Sequence, residues 1–335
     1  MTMNVNRYDN FTKCRSLILG SLNWSLLEMM DNEQDKIYFT EVFHSIDETL
    51  SEMVKVFVEF GIEVVRPEPL RFDKDRPLVT PFLSMPAVKN SLTPYDTFLC
   101  LKNTVIECPS VTELAFFDHV QYKHIWQKCF DNGSKWIAAP IPTHAPDQFE
   151  FDGERTHSEI LFDGPALEPV GDVLLSSEKA VINDRGRRWI EQWFPEFRHH
   201  TVKGTNGHLD GYFTILKPGL IMSIIPKDKL PEIFKSWTVI QPPNASFAQP
   251  EVTSRFIQDD DFENTTIGVN NFSLDEGNVI VMKHIADHHP NVIREIEKHG
   301  INCIPISYDA VRVLGIGFSC MTSAINRDGQ FENYF

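Results

Sequence analysis

The segment Asn270–Ile306, NNFSLDEGNVIVMKHIADHHPNVIREIEKHGINCIPI, carries one complete structural unit. Asn270–Ser273 and Val279–Met282 are apolar runs on either side of Glu276-Gly277, the pattern of a β-hairpin. Asn291–His299 has helical spacing and stops at Gly300, a residue suited to the left-handed conformation that closes a helix. Ile301–Ile306 is a further apolar run, so the order is hairpin, helix, strand. The same order recurs upstream. Tyr212–Leu216 and Leu220–Ile224 flank Pro218-Gly219, followed by a helix over Lys229–Phe234 and a strand at Thr238–Ile240. Val173–Ser176 and Ala180–Ile182 flank Glu178-Lys179, followed by a helix over Arg185–Phe194 and a strand at His200–Val202. Thr97–Leu101 and Thr104–Glu107 flank Lys102-Asn103, followed by a helix over Phe116–Phe130 and a strand at Trp136–Ala139. A fifth unit is divided between the chain ends: strand Ser16–Gly20, helix Ser45–Phe60 and strand Ile62–Val65, with the missing hairpin strand drawn from Phe318–Ile325. Such a split closes a circular array. Each unit alone has too little core, so residues 1–335 are expected to form a single cooperative α/β domain.

Composition narrows the function. Of 335 residues, 42% are hydrophobic and 25 are Phe, enough for a large core and too apolar for intrinsic disorder. Lys plus Arg number 31 and Asp plus Glu 47, so the formal net charge is −16. A field of that sign repels nucleic acid and anionic membranes and attracts small organic cations. No window is apolar over about 18 residues, and the start, MTMNVNRYDNFTKC, lacks the apolar core of a signal peptide. The six cysteines form no C-x-x-C pair, which fits a reducing, cytoplasmic compartment. Long irregular stretches separate the units: Arg66–Pro94, Pro140–Pro169 and Pro242–Thr266, the last holding the acidic run Asp259-Asp260-Asp261. They are expected to crowd one face as lids, with the acidic run a solvated loop. His284, His288 and His289 have roughly helical spacing, but no Cys or Glu completes a metal site there.

Polar residues bordering strands of different units converge in a closed ring. Three segments stand out: His208-Leu-Asp210, Gly171-Asp172, and Gly315-Ile-Gly-Phe-Ser-Cys320. Two glycines before Cys320 allow an exposed thiol. A thiol needs a base or a cation to become a thiolate, because its ordinary pKa is about 8.5. His208 can serve, oriented by Asp172. Taken singly, each of these residues also suits a structural role. The pair Asp309 and Arg312, ahead of the cysteine segment, suits the surface.

The order of these motifs resembles the amidinotransferase branch of the guanidine-modifying pentein superfamily, from Leu92 to Gly329 above all. Pro94-Tyr-Asp96 with Ile106-Glu-Cys-Pro109 resembles the branch's P-R-D and I-I-E-x-P. Phe162-Asp-Gly-Pro and Gly171-Asp172 resemble F-D-A-A and a later G-x-D. His208-Leu-Asp210 resembles H-x-D, and Gly315-Ile-Gly-Phe-Ser-Cys320-Met-Thr resembles G-G-G-F-H-C-x-T. The resemblance implies a five-module α/β propeller, which agrees with the units above. It implies Cys320 as nucleophile and His208 as general acid and base, with Asp172 paired to His208 or to the guanidinium. Asp96 and Asp210 would hold guanidinium nitrogens. Tyr95 stands in a substrate-binding position where the family has Arg, and Lys227 falls near the family's arginine for the substrate carboxylate.

What the resemblance implies is transfer of the amidino group from arginine to an amine, glycine-like or other, through an amidino-cysteine, with ornithine released. No metal or organic cofactor is required. A guanidine hydrolase of the same superfamily is the alternative, and a non-catalytic binding protein the second. Small molecules are the expected partners; the oligomeric state is left open, a homodimer included.

Overall fold

The computed structural model describes residues 3–28, 30–68, 91–111, 118–141, 159–242, 266–307 and 315–335. The run Asp259-Asp260-Asp261, Asp309 and Arg312 lie outside these residues.

The described strands form five three-stranded sheets. Strands β1 (Cys14–Leu19) and β2 (Glu63–Val65) share a sheet with the last strand, β15 (Thr322–Arg327). The others are β3 (Phe98–Leu101), β4 (Thr104–Glu107) and β5 (Lys135–Ala138); β6 (Leu167–Val170), β7 (Val173–Ser177) and β8 (Arg198–Val202); β9 (Phe213–Lys217), β10 (Leu220–Ser223) and β11 (Thr238–Ile240); and β12 (Phe272–Asp275), β13 (Asn278–Met282) and β14 (Asn302–Ile306). In each sheet an antiparallel pair is joined by a third strand parallel to its middle member. The split unit is present: Leu17 pairs with Ala324 and Leu19 with Thr322 across the antiparallel β1–β15 ladder.

Local chemistry sets the crossovers. Asn32 caps the helix Glu33–Glu59 by accepting from the N–H groups of Gln34 and Asp35. That helix buries Val42, Phe43, Ile46, Leu50, Met53 and Phe57 at spacings of three and four, one apolar stripe laid on its sheet. Asn183 caps the helix Asp184–Trp193 through the N–H of Gly186. The helix Pro290–Lys298 ends ahead of Gly300, whose φ is +76°.

The helix expected over Ser45–Phe60 begins earlier, at Glu33, and two further elements differ from the sequence reading. Lys229–Phe234 is not an α-helix but two 3-10 turns, Lys227–Lys229 and Glu232–Phe234, each entered from a proline that interrupts helical hydrogen bonding. The second unit's hairpin lies one strand earlier. Its strands are β6 and β7, turning at Gly171-Asp172, and Ala180–Ile182 is not part of it. No helix among the described residues is long and apolar enough to cross a membrane.

Candidate active site

The shifted hairpin reveals how the site is assembled. The residues that meet are those immediately before the first strand of each hairpin: Asp96 before β3, Asp163 before β6, His208 and Asp210 before β9, Asn270 before β12 and Cys320 before β15. Each is held by a tight turn. Asp96 lies on the helical turn Pro94–Thr97, and Asp163 leads into the 3-10 turn Gly164–Ala166. Gly164 lets these two turns touch, because a Cβ there would lie 2.1 Å from the carbonyl oxygen of Tyr95. His208 and Asp210 flank buried Leu209 at the 3-10 turn Leu209–Gly211.

The His208 ring sits between two carboxylates. Its Nε2 is 3.1 Å from Asp163 Oδ2, and its Nδ1 is 3.8 Å from Asp96 Oδ1. The other oxygen of Asp163 is fixed by Ser110 Oγ at 3.0 Å and the Val111 N–H at 3.1 Å. At the other end of the cluster, Cys320 Sγ donates to Asp210 Oδ2 at 3.3 Å and accepts from Asn270 Nδ2 at 3.3 Å. The remaining oxygen of Asp210 and Oδ1 of Asp96 are buried without a hydrogen-bond partner among the described residues.

Electrostatics join the two ends. Burial works against the charged imidazole, but the hydrogen bond to Asp163 and the charges of Asp96, Asp163 and Asp210 outweigh it and hold His208 up at about 9. Asp96 is raised to about 6 by burial, with His208 opposing and the neighbouring acids adding. Burial also raises Asp210, against His208, Cys320 and the Asn270 amide. The Cys320 thiol is pushed well above its ordinary value by burial and then by the charges of Asp210 and Asp96. Near neutral pH the cluster therefore favours a charged imidazole together with a protonated thiol.

The expected residues divide into two groups. Cys320, His208, Asp96 and Asp210 come together; Asp172, Tyr95 and Lys227 do not join them. Asp172 sits in the β6–β7 turn, where its carboxylate takes both Nε and Nη2 of Arg198, at 3.0 and 2.6 Å. Its expected place beside the imidazole belongs to Asp163, because the turn carries Asp172 to the opposite end of β6. Tyr95 is buried. Its hydroxyl accepts from Arg7 Nη2 at 2.8 Å and lies 3.2 Å from Glu168 Oε2, and its ring packs under the Arg7 guanidinium. It lines a cavity with Arg7, Glu168, Asp210, Ser273 and Arg327, where its hydroxyl is already engaged by Arg7 and Glu168. Lys227 is exposed on its 3-10 turn and forms no ion pair with any described residue. Sequence reasoning missed Asp163 as the imidazole's partner and missed Asn270; the signal for both is their place ahead of a first hairpin strand. Among the described residues no group of His, Cys, Asp and Glu has the arrangement of a metal site.

No protein-family model matches the chain. Whole-chain relatives do. Inosamine-phosphate amidinotransferase 1 of Streptomyces glaucescens is 26% identical over 317 residues, covering 90% of this chain and 87% of the relative. The mitochondrial glycine amidinotransferase of Gallus gallus is 28% identical over 314 residues, 85% of this chain and 70% of the relative. Among solved structures, the inosamine-phosphate amidinotransferase StrB1 of Streptomyces griseus superposes with a TM-score of 0.79 at 25% identity, covering 98% of this chain and 99% of that one. A dimethylarginine dimethylaminohydrolase (DDAH) of Pseudomonas aeruginosa shares the fold at a TM-score of 0.62 and 14% identity, over 93% of this chain and 99% of that one. Fold and sequence thus place the chain among proteins similar to amidinotransferases. The chain resembles the glycine and inosamine-phosphate amidinotransferases of the pentein superfamily over most of its length.

Proposed function

We propose that this chain moves the amidino group of arginine to a primary amine through a covalent amidino-cysteine on Cys320, releasing ornithine. The observation that carries the reading is the cluster itself: a thiol and a charged imidazole joined through Asp210, Asp96 and Asp163 in one buried, acid-rich site. The five units act as one domain of residues 1–335, closed into a propeller around that site.

A guanidinium carbon is a poor electrophile because its charge is spread over three nitrogens. Asp96 and Asp210 hold the planar cation and orient its central carbon toward the sulfur. The arriving cation offsets the negative charge that keeps the thiol protonated, and the thiol proton is lost to solvent. Sγ bonds to the central carbon. His208 gives its proton to the departing nitrogen as the C–N bond breaks, so the amine leaves neutral rather than as an amide anion. Asp163 holds the imidazole in place throughout. The acceptor amine then enters, loses a proton to neutral His208, and bonds to the same carbon as the C–S bond breaks, which restores the thiolate. Water in the acceptor's place gives the hydrolase outcome. The amidinotransferase relatives, 26% and 28% identical over 85% or more of the chain, support the amine. The substrates are small molecules, the steps are carried by side chains, and the free cysteines suit a reducing cytoplasm.

Incubation with arginine followed by intact-mass measurement tests the reading. A single amidino adduct on Cys320, discharged by a glycine-like or other amine with stoichiometric ornithine, is the expected result. Citrulline or ammonia formed without an acceptor assigns the chain to the hydrolases, and no adduct under any condition removes the covalent mechanism.

A further inference from the structure

Asn270 is buried to 3% exposure, and both ends of its amide are engaged at the cysteine segment. Oδ1 accepts from the backbone N–H of Ser319 at 2.8 Å, while Nδ2 donates to Cys320 Sγ at 3.3 Å. These contacts fix which way the amide points. A backbone N–H only donates, so the oxygen faces Ser319 and the nitrogen faces the sulfur. The Ser319 hydroxyl adds a second clamp by donating to the Asn271 carbonyl at 2.8 Å. Gly317 leaves the room this requires, since a Cβ there would lie 2.0 Å from Asn270 Cγ. The glycine-rich approach to Cys320 is therefore shaped around an amide as well as a thiol.

We propose that Asn270 is a catalytic residue, whose amide N–H holds the Cys320 sulfur on its attack line and stabilises it as a thiolate. The inference rests on Cys320 being the nucleophile of the proposed reaction. Among the described residues, this amide is the side-chain donor that reaches the sulfur, whose other partners are the carboxylate of Asp210 and the backbone of Gly317. A hydrogen bond to an anion is roughly twice as strong as one between neutral groups, so the amide gains hold as the sulfur ionises. Because a carboxamide does not titrate, it keeps this role at every working pH.

Alkylation of Cys320 by iodoacetamide, followed between pH 6 and 11 by mass spectrometry of its peptide, tests this without any turnover. The other five cysteines serve as internal references. N270D gives the largest shift, and N270A is the deciding variant. Aspartate keeps an oxygen for the Ser319 N–H and nearly the same shape, but it replaces the donor at the sulfur with a negative charge. The alkylation midpoint is expected to rise by about one pH unit or more in N270D, with a tenfold or greater loss of rate at pH 8. N270A should fall between N270D and the native protein. A purely structural amide predicts a native alkylation midpoint in N270A, where the donor is lost and no charge is added, and that result overturns the proposal.

In the native protein, the Asn270 side-chain 15N–H resonance is expected to titrate with the Cys320 midpoint. This measurement decides the matter if the variants do not fold, and a resonance indifferent to that titration overturns the proposal. The two readings fail separately. An arginine adduct with N270A alkylating normally removes only Asn270, whereas a shifted midpoint in a protein that never takes an arginine adduct removes only the transfer reaction.

Discussion

At the imidazole end of the cluster, His208 has Asp163 on one ring nitrogen and Asp96 facing the other. At the thiol end, Cys320 has one carboxylate, Asp210, and one neutral amide, Asn270. Burial disfavours the charged form at both ends, yet the neighbouring acids act on them in opposite senses. Protonating the imidazole places a cation among anions, so the acids win and His208 is held at about 9. Ionising the thiol places an anion among anions, so the acids add to burial. Under the proposed mechanism, one set of carboxylates thus keeps the proton donor charged and the nucleophile masked until a cation arrives, so a neutral ligand in the same pocket leaves the sulfur inert.

Removing the thiol should have the largest effect. Cys320→Ala is expected to lower arginine turnover by about a millionfold, the scale of deleting a covalent nucleophile. The substitution removes one hydrogen bond to Asp210 and one from Asn270, so the variant should still fold. Residual turnover above background, with a normal circular dichroism spectrum, breaks the comparison at its thiol end. His208→Asn comes next, with formation of the amidino adduct slowed by about 10²- to 10⁴-fold in single-turnover measurements, the usual range for general acid catalysis. Unchanged single-turnover kinetics take His208 out of the role.

The acids themselves are tested by pH. Asp96 must be ionised to hold a guanidinium, and its value of about 6 means that it loses this charge as pH falls through 6. His208 must be protonated to act as an acid, and its value of about 9 means that it loses the proton as pH rises through 9. The plot of kcat/KM for arginine against pH is therefore expected to be bell-shaped, with limbs near these values belonging to the coupled cluster as a whole. Asp163→Asn sharpens the comparison. It removes the hydrogen bond that most favours the imidazolium, so the alkaline limb moves down toward the ordinary histidine value, and the acid limb also moves down because the charge of Asp163 helps to raise Asp96. An alkaline limb unmoved in Asp163→Asn assigns it to another group.

How far these features could be read from the sequence depended on local signals. The hairpins about Lys102-Asn103, Pro218-Gly219 and Glu276-Gly277 carry turn residues between apolar runs, and they form where the pattern puts them. The β6–β7 hairpin does not carry that signal. Its first strand, Leu167-Glu-Pro-Val170, contains a buried Glu and a Pro, a composition that reads as loop. The strand tolerates Pro169 because β6 is the edge of its sheet, where one missing N–H leaves no ladder broken. Reading that strand as loop shifts the hairpin by one strand and puts Asp172 where Asp163 belongs. Asn270 was hidden for a different reason: a search led by titratable groups passes over a neutral amide, and only the shared position ahead of a first strand marks it. Cys320, His208 and Asp210 were legible because each borders an apolar strand beside a turn-forming sequence, and Asp96 through the resemblance of Pro94-Tyr-Asp96 to the family's P-R-D.

The smallest expected effect is at Asp172, and it separates the inner acids from the outer ones. Its side chain and that of Arg198 are 22% and 42% exposed, so their ion pair is screened by water and contributes no more than about 1 kcal/mol. Its backbone N–H donates to the Glu332 carbonyl at 2.8 Å, and a substitution of the side chain leaves that bond in place. Gly171 beside it has φ +66°, and a Cβ there would lie 2.0 Å from the same carbonyl, so the turn is set by the backbone more than by the carboxylate. Asp172→Asn should accordingly keep kcat/KM within about twofold of the native value and lower stability to denaturant by at most about 1 kcal/mol. Asp163→Asn in the same assay should lose activity without comparable loss of stability. Were the two variants to exchange these behaviours, the imidazole's partner would be the carboxylate of the β6–β7 turn, and the rule that the residues ahead of each first strand build the site would fail at the second sheet.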